Sequence, residues 1–137
     1  QKRLEYWQAF NNYAFNDNDF SNAFNKRKPS TDHRMDFSIG SSACHIGVSL
    51  IQKRNAITIE LYINDDKALF HSLLAHRSEI ETIMGVSLDW RELPERKASR
   101  ILVEKSVEFE NKDKWNEQFA YIMDICLKMR KAFKKYI

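Results

Sequence analysis

The chain has 137 residues, of which 43% are hydrophobic, 12% aromatic and 30% charged, with only 3 glycines and 2 prolines. This composition predicts a single ordered α+β domain over 1–137 and excludes a disordered or low-complexity chain. No apolar run approaches the roughly 20 residues of a membrane helix, and no signal pattern opens the chain, so we expect a cytoplasmic protein with no membrane partner.

The first half of the chain predicts one helix and a three-stranded meander. Apolar residues spaced by three and four predict a helix from Leu4 to Ala14, ending before the polar run Asn16–Asp19. A polar loop carrying Lys26–Ser30 follows. Alternation of apolar and polar residues then predicts three strands with turns at Gly40–Ser42 and Gln52–Asn55 between them, over 35–39, 44–50 and 57–63.

The second half predicts a helix, two strands and a final helix. Asn64–Asp66 supplies an N-cap for a helix whose apolar positions run from Leu69 to Met84 and which Gly85 closes. Strands are predicted over 88–93 and 99–109, with a loop at 94–98. The last helix begins near Asp113 and has an apolar stripe at Trp115, Phe119, Ile122, Cys126, Met129, Phe133 and Tyr136.

The predicted order is therefore α-β-β-β-α-β-β-α. It indicates an α+β fold in which an antiparallel meander forms part of a mixed or antiparallel sheet, with helices packed on the apolar face. Cys44 and Cys126 lie in core segments and are predicted to be buried thiols. His71 and His76 are five residues apart and would point to different sides of a helix, so we expect no metal and no cofactor.

Several short motifs in this chain together resemble one protein family. They are Ser38–Ala43 with His45, Glu60–Ile63 with Asp65 and Asp66, Trp90–Pro94, Lys97–Ile101, and Trp115 with Gln118 and Phe119. In combination they resemble the bacterial domain of unknown function 4268, over nearly the whole chain. The resemblance implies a C-terminal domain of a longer protein, some members having an N-terminal region similar to restriction-type nucleases. The chain opens at Gln1 rather than Met, which favours a fragment of this kind with its own upstream domain.

The predicted meander aligns polar side chains in rows across the sheet. One row contains Ser38, His45 and Tyr62, and the next contains Asp36, Gly47 and Glu60. Because Gly47 has no side chain, Asp36 and Glu60 would flank an open spot, with their backbones about 9 to 10 Å apart. These rows indicate either a small polar site of Asp36, His45, Glu60 and Tyr62 or a solvated sheet face.

The order of elements also resembles the core of restriction-type nucleases, which hold magnesium with an acidic residue and a later Glu-x-Lys or Asp-x-Lys. Glu60 stands at the glutamate position, but Tyr62 replaces the lysine and the preceding strand has no acid. The segment Glu95–Lys97 matches the motif within a loop. A magnesium-dependent nuclease using Asp36, His45 and Glu60 is therefore an alternative hypothesis, and the leading hypothesis has no catalytic residue.

Cations concentrate in two segments next to Pro29 and Pro94. They predict a nucleic-acid surface in which cations contact phosphates and Trp90 or Tyr62 stacks on a base. The predicted contact residues are Lys26, Arg27, Lys28, Trp90, Arg91, Arg96, Lys97 and Arg100. The alternative is that Glu92 and Glu95 pair with the arginines at the surface.

Three functional hypotheses follow from these patterns. The leading one is a non-catalytic binding module that faces DNA or RNA and is attached to a nuclease or defence-type protein. The second is the magnesium-dependent nuclease. The third is a structural or dimerisation domain without a ligand.

Overall fold

A computed structural model describes residues 2–137 of the chain. Its helices are α1 (Lys2–Ala14), α2 (Asn18–Ala23), α3 (Lys67–Ala75), α4 (Arg77–Met84) and α5 (Trp115–Lys134). Its strands are β1 (Arg34–Ser38), β2 (Cys44–Ile51), β3 (Ala56–Ile63), β4 (Asp89–Arg91) and β5 (Ser99–Ser106). The predicted α+β class is confirmed.

The strands form a single antiparallel sheet in the order β1-β2-β3-β5-β4. The predicted pairing within the meander is confirmed, because Ser38 pairs with His45 and His45 with Tyr62. Turn length fixes this register, since a slip by one residue would move each apolar side chain to the opposite face. The second half of the chain adds β5 beside β3 and β4 at the far edge.

The helices pack on the apolar face of the sheet. Each of the five contributes to one hydrophobic core that also contains the inward-facing strand residues, with α1 supplying Phe10, α3 Phe70 and α5 Phe119. Leu102 on β5 is also buried, but it lies outside this core because it points to the other face. The fold is therefore two-layered, and the polar face of the sheet lies opposite the helices.

Two predictions for the helices were wrong. The segment predicted as a polar loop contains α2, whose N-cap Asp17 accepts a hydrogen bond from the Phe20 backbone N–H at 2.9 Å. Phe20 is fully buried against Phe10 and Phe37, so tertiary packing stabilises a helix of only six residues. The single helix predicted up to Met84 is two helices, separated at His76.

The ends of two strands also differ from those predicted. β5 ends at Ser106 rather than at Phe109, because its partner β3 begins at Ala56, opposite Ser106, and the preceding Asn55 is in a turn with a positive φ of 49°. β4 is limited to Asp89–Arg91. Both predicted thiols are buried, and Gly85 closes α4 with φ of 73° as expected. Along 2–137, no helix combines the length and apolar character needed to cross a bilayer.

Candidate functional site

The sheet register places one row of polar side chains across all five strands. Ser38, His45 and Tyr62 on β1 to β3 continue into Arg100 on β5 and Arg91 on β4. The row spans about 19 Å at a strand spacing of about 4.8 Å. The sequence predicted its first three members, and the position of β5 beside β3 brings the arginines of the predicted cationic loop to the same face.

Arg34 occupies the spot that the sequence predicted to be open. A Cβ added at Gly47 would lie 2.5 Å from Nη2 of Arg34 and 2.9 Å from its Cζ, so the guanidinium rests directly on the glycine backbone. Arg34 donates from Nε to Asp36 Oδ1 at 2.7 Å, and its Nη1 lies 3.2 Å from Glu60 Oε1. The expected gap between the two carboxylates is therefore filled by an arginine that was not among the predicted site residues.

Glu60 is buried between two arginines on this face. Its side chain is only 2% exposed, and its carboxylate contacts Arg34 on one oxygen and Arg100 Nε on the other. A buried carboxylate requires such partners, because an unpaired buried charge costs several kcal/mol. Glu60 on β3 therefore holds two cations, one from β1 and one from β5, in a fixed arrangement.

His45 and Tyr62 complete this cluster. Arg34 Nη2 lies 3.2 Å from His45 Nε2, which can accept a hydrogen bond from arginine only when the ring is neutral and carries its proton on Nδ1. Burial lowers the pKa of His45, the nearby Asp36 raises it, and the charges of Arg34 and Arg27 lower it further. The ring centroids of Tyr62 and His45 are 5.3 Å apart, and the Cζ atom of Arg34 lies 5.0 Å from the Tyr62 ring centroid.

The carboxylates of the cluster are not arranged as a metal site. The Arg34 guanidinium contacts both Asp36 and Glu60, so their oxygens converge on an existing cation. Within residues 2–137, no group of three or more His, Cys, Asp or Glu side chains has a geometry that would hold a metal ion. The arrangement is therefore a cluster of ion-paired, aromatic and hydrogen-bonding side chains.

Lys67 of α3 holds the loop that connects β4 to β5. Its ammonium nitrogen lies 2.5, 3.0 and 2.9 Å from the carbonyl oxygens of Glu92, Leu93 and Ala98 and 3.0 Å from Ser99 Oγ, so three N–H donors are shared among four acceptors. These acceptors come from both ends of the loop, which turns at Leu93 with a positive φ of 55°. Sequence patterns did not indicate this role, because the acceptors are backbone carbonyls distant in the chain, and no side-chain pattern marks them.

The cations of the loop fall into two groups. Arg91 pairs with Asp89 at 2.7 Å, and Arg100 pairs with Glu60. Arg96 and Lys97 are exposed, and neither side chain has a hydrogen bond or ion pair to any residue in the described part of the chain. A cleft at this edge is lined by Arg91, Leu93, Pro94, Glu95, Arg96 and Arg100.

The predicted pairing of Glu92 and Glu95 with the loop arginines was wrong. Glu92 instead contacts His71 at 3.1 Å, and Glu95 has no ion pair with any described residue. The carboxylates that engage these arginines are on strands. Asp89 lies two residues from Arg91 on β4, and Glu60 on β3 lies diagonally across from Arg100 on β5.

The remaining predicted contact residues lie at two positions. Trp90 faces the helices, where its indole donates to Glu81 Oε2 at 3.1 Å and its ring packs against Phe70. Lys26, Arg27 and Lys28 are exposed in the segment between α2 and β1. Together with the charge of Arg34, the charge of Arg27 lowers the pKa of His45, and its effect is the smaller of the two.

The fold and site together define a two-layer α+β domain with an ion-paired polar sheet face and a cationic loop at one edge. The chain belongs to the family described as domain of unknown function (DUF4268), whose model matches residues 2–137. The resemblance seen in the sequence motifs is thereby confirmed. Comparisons with curated proteins and with solved structures gave no match.

Proposed function

We propose that this domain is a non-catalytic module that binds nucleic acid through the polar face of its sheet and the loop from Glu92 to Ala98. The observation that carries the proposal is the state of Arg96 and Lys97, which are exposed and unpaired within residues 2–137 on a loop that Lys67 holds at both ends. Because Lys67 holds the loop backbone, the loop does not have to become ordered when these side chains contact phosphates, and no internal ion pair has to break.

The neighbouring residues support a larger contact surface. Arg91 contributes an exposed guanidinium at the same cleft, and its partner Asp89 is also exposed, so that pair is weak and phosphate can compete for the arginine. Arg27 precedes β1, the strand at the edge of the sheet opposite β4, and its positive charge lowers the pKa of His45. In a longer cytoplasmic protein, the module would hold an attached nuclease or defence-type domain on DNA or RNA.

Fluorescence anisotropy with labelled DNA and RNA across a range of salt concentrations tests this proposal. We expect binding at low salt that weakens as salt rises, with a log-log slope of a few units. The variant Arg91→Ala/Arg96→Ala/Lys97→Ala should reduce that slope by about 2, since each lost phosphate contact accounts for about 0.7 to 0.9. Lack of any binding at low salt would reject the proposal.

A matched control removes the same charge elsewhere. Lys131→Ala/Lys134→Ala/Lys135→Ala takes three positive charges from the C-terminal end of α5 and the residue after it. This variant should bind like the wild type, because α5 packs on the opposite layer. Equal losses in the two triple variants would show that binding follows net charge and not this surface. Magnesium-dependent cleavage by the wild type that is lost in Glu60→Gln would instead favour the nuclease alternative.

A further inference from the structure

The polar sheet face is wide and carries planar side chains that lie close together. The row from Ser38 to Arg91 is about 19 Å across, whereas the major groove of B-form DNA is about 12 Å wide. Base edges in that groove are normally reached by a helix or a two-stranded ribbon. The helices of this domain pack on the other side of the sheet, so this face presents no helix that could enter the major groove of a duplex.

Tyr62 lies at the middle of this row. It is partly exposed, and its hydroxyl has no hydrogen-bond partner among residues 2–137. The ring is held by the contacts to His45 and Arg34, and Arg34 is itself held by Asp36 and Glu60. An aromatic ring fixed in this way can stack on a base at little cost in side-chain entropy, and stacking does not depend on base identity.

The proposed phosphate contacts all lie on the β5 side of the Tyr62 ring. Arg100 is the direct neighbour of Tyr62 on β5, and Arg91 is the next residue of the row on β4. The unpaired cations Arg96 and Lys97 are in the loop that joins β4 to β5 at the strand ends next to Arg91 and Arg100. A strand whose phosphates lie on the loop can therefore place an unpaired base over β3.

We propose that the polar face binds single-stranded nucleic acid, with a base stacked on Tyr62 and the adjoining phosphates held by Arg96, Lys97 and Arg91. This inference rests on the proposed function, and it adds the form of the nucleic acid and the residue that contacts its bases. The sheet supplies no contact that requires a particular base sequence, so the binding is tolerant of sequence.

The test compares strands with and without bases. The probes are DNA and RNA single strands of about 15 nucleotides, the corresponding duplex, and an abasic strand of the same length, because single-strand binders cover about 4 to 16 nucleotides. We expect the single strand to bind at least about tenfold more tightly than the duplex at the same salt concentration. The DNA and RNA arms show whether the 2′-hydroxyl matters.

Tyr62→Val removes the ring and keeps a residue suited to a strand, whereas Tyr62→Phe keeps the ring. Tyr62→Val should lower affinity for the single strand by about 5- to 150-fold, the range expected for one stacked base, while Tyr62→Phe should stay within about twofold. On the abasic strand, Tyr62→Val and the wild type should bind equally. If Tyr62→Val does not fold, the second test uses the wild type. A single strand that carries a photoreactive thymine analogue is cross-linked to it, and the adduct is expected on Tyr62.

The outcomes separate this inference from the proposed function. If the duplex binds as tightly as the single strand, or if Tyr62→Val loses affinity equally on the abasic strand, the stacking inference is overturned while phosphate binding stands. Cross-links confined to residues away from β3 would also overturn it. If no probe binds at low salt, both proposals are rejected together.

Discussion

Replacing Gly47 with alanine tests whether Arg34 organises the polar face. Alanine is normally the better strand residue, since a glycine within a strand is destabilising by roughly 0.5 to 1 kcal/mol. Here the new Cβ would lie 2.5 to 2.9 Å from three atoms of the Arg34 guanidinium, which must move. The expected net effect depends on what the arginine loses when it moves.

Arg34 would give up its contacts to Asp36, Glu60 and His45. A hydrogen bond to a charged group contributes about 1.5 to 3 kcal/mol. The Arg34 side chain is 26% exposed, so solvent weakens these contacts, and we take this range for all three contacts together. After subtraction of the strand gain, Gly47→Ala should lower the free energy of unfolding by about 1 to 2 kcal/mol. Arg100 still contacts Glu60, so the loss stays below that of an unpaired buried charge.

A double-mutant cycle gives the decisive measurement. In the Arg34→Ala background the obstacle is gone, so Gly47→Ala should change sign and stabilise the domain by roughly 0.5 to 1 kcal/mol. Urea denaturation of the four proteins measures this coupling. Gly85→Ala is the control: its φ of 73° makes alanine unfavourable and no atom lies within 4 Å, so its cost should be equal in both backgrounds. If Gly47→Ala costs the same with and without Arg34, the arginine does not hold the position assigned to it.

Two further perturbations examine the loop and the histidine. Lys67→Met removes the ammonium group from three loop carbonyls, of which Glu92 keeps Ser99 Oγ as a donor and Leu93 keeps the Arg96 N–H, while Ala98 loses the lysine. The variant should lower the free energy of unfolding by about 2 kcal/mol in urea denaturation, whereas Lys97→Met, at an exposed position, should stay within about 0.5 kcal/mol. Equal effects of the two variants would contradict the role of Lys67 in holding the loop. Because burial lowers the pKa of His45 in the folded state, the unfolded chain takes up a proton first as pH falls below about 6.5, so stability should decrease there. His45→Gln should remove part of this decrease, and a wild-type pH profile that is unchanged in His45→Gln would refute the assignment.

The meander and its rows were predictable because they depend on local signals. Alternation defines the faces of each strand, and short turns fix which residues pair, so the neighbours Ser38, His45 and Tyr62 followed from the sequence alone. The last helix was predictable for the same reason, because its apolar stripe repeats over many turns. Errors occurred where tertiary contacts decide, as at α2, which depends on the burial of Phe20.

The side chains that organise the site were not predictable in this way. Arg34 and Lys67 are long and flexible, and each reaches groups that are distant in the chain, such as Glu60 for the first and Ala98 for the second. The sequence did mark the position of Arg34 indirectly. Gly47 was interpreted as an open spot between Asp36 and Glu60, and the space exists because glycine has no side chain, but an arginine of the same sheet fills it.

The buried glutamate divides the cations of the polar face into two kinds. Arg34 and Arg100 are partners of Glu60, whose side chain is 2% exposed, and removing a partner from a buried charge costs about 3 to 5 kcal/mol when none remains. An exposed ion pair with a solvated phosphate contributes only about 0 to 1 kcal/mol and so offers little in exchange for either partner of Glu60. If the proposed function holds, a nucleic acid would leave these two arginines on Glu60 and take its phosphate contacts from Arg91, Arg96 and Lys97. Substitution of Arg100 would then report mainly on the stability of the sheet, and substitution of the other three cations would report on phosphate binding.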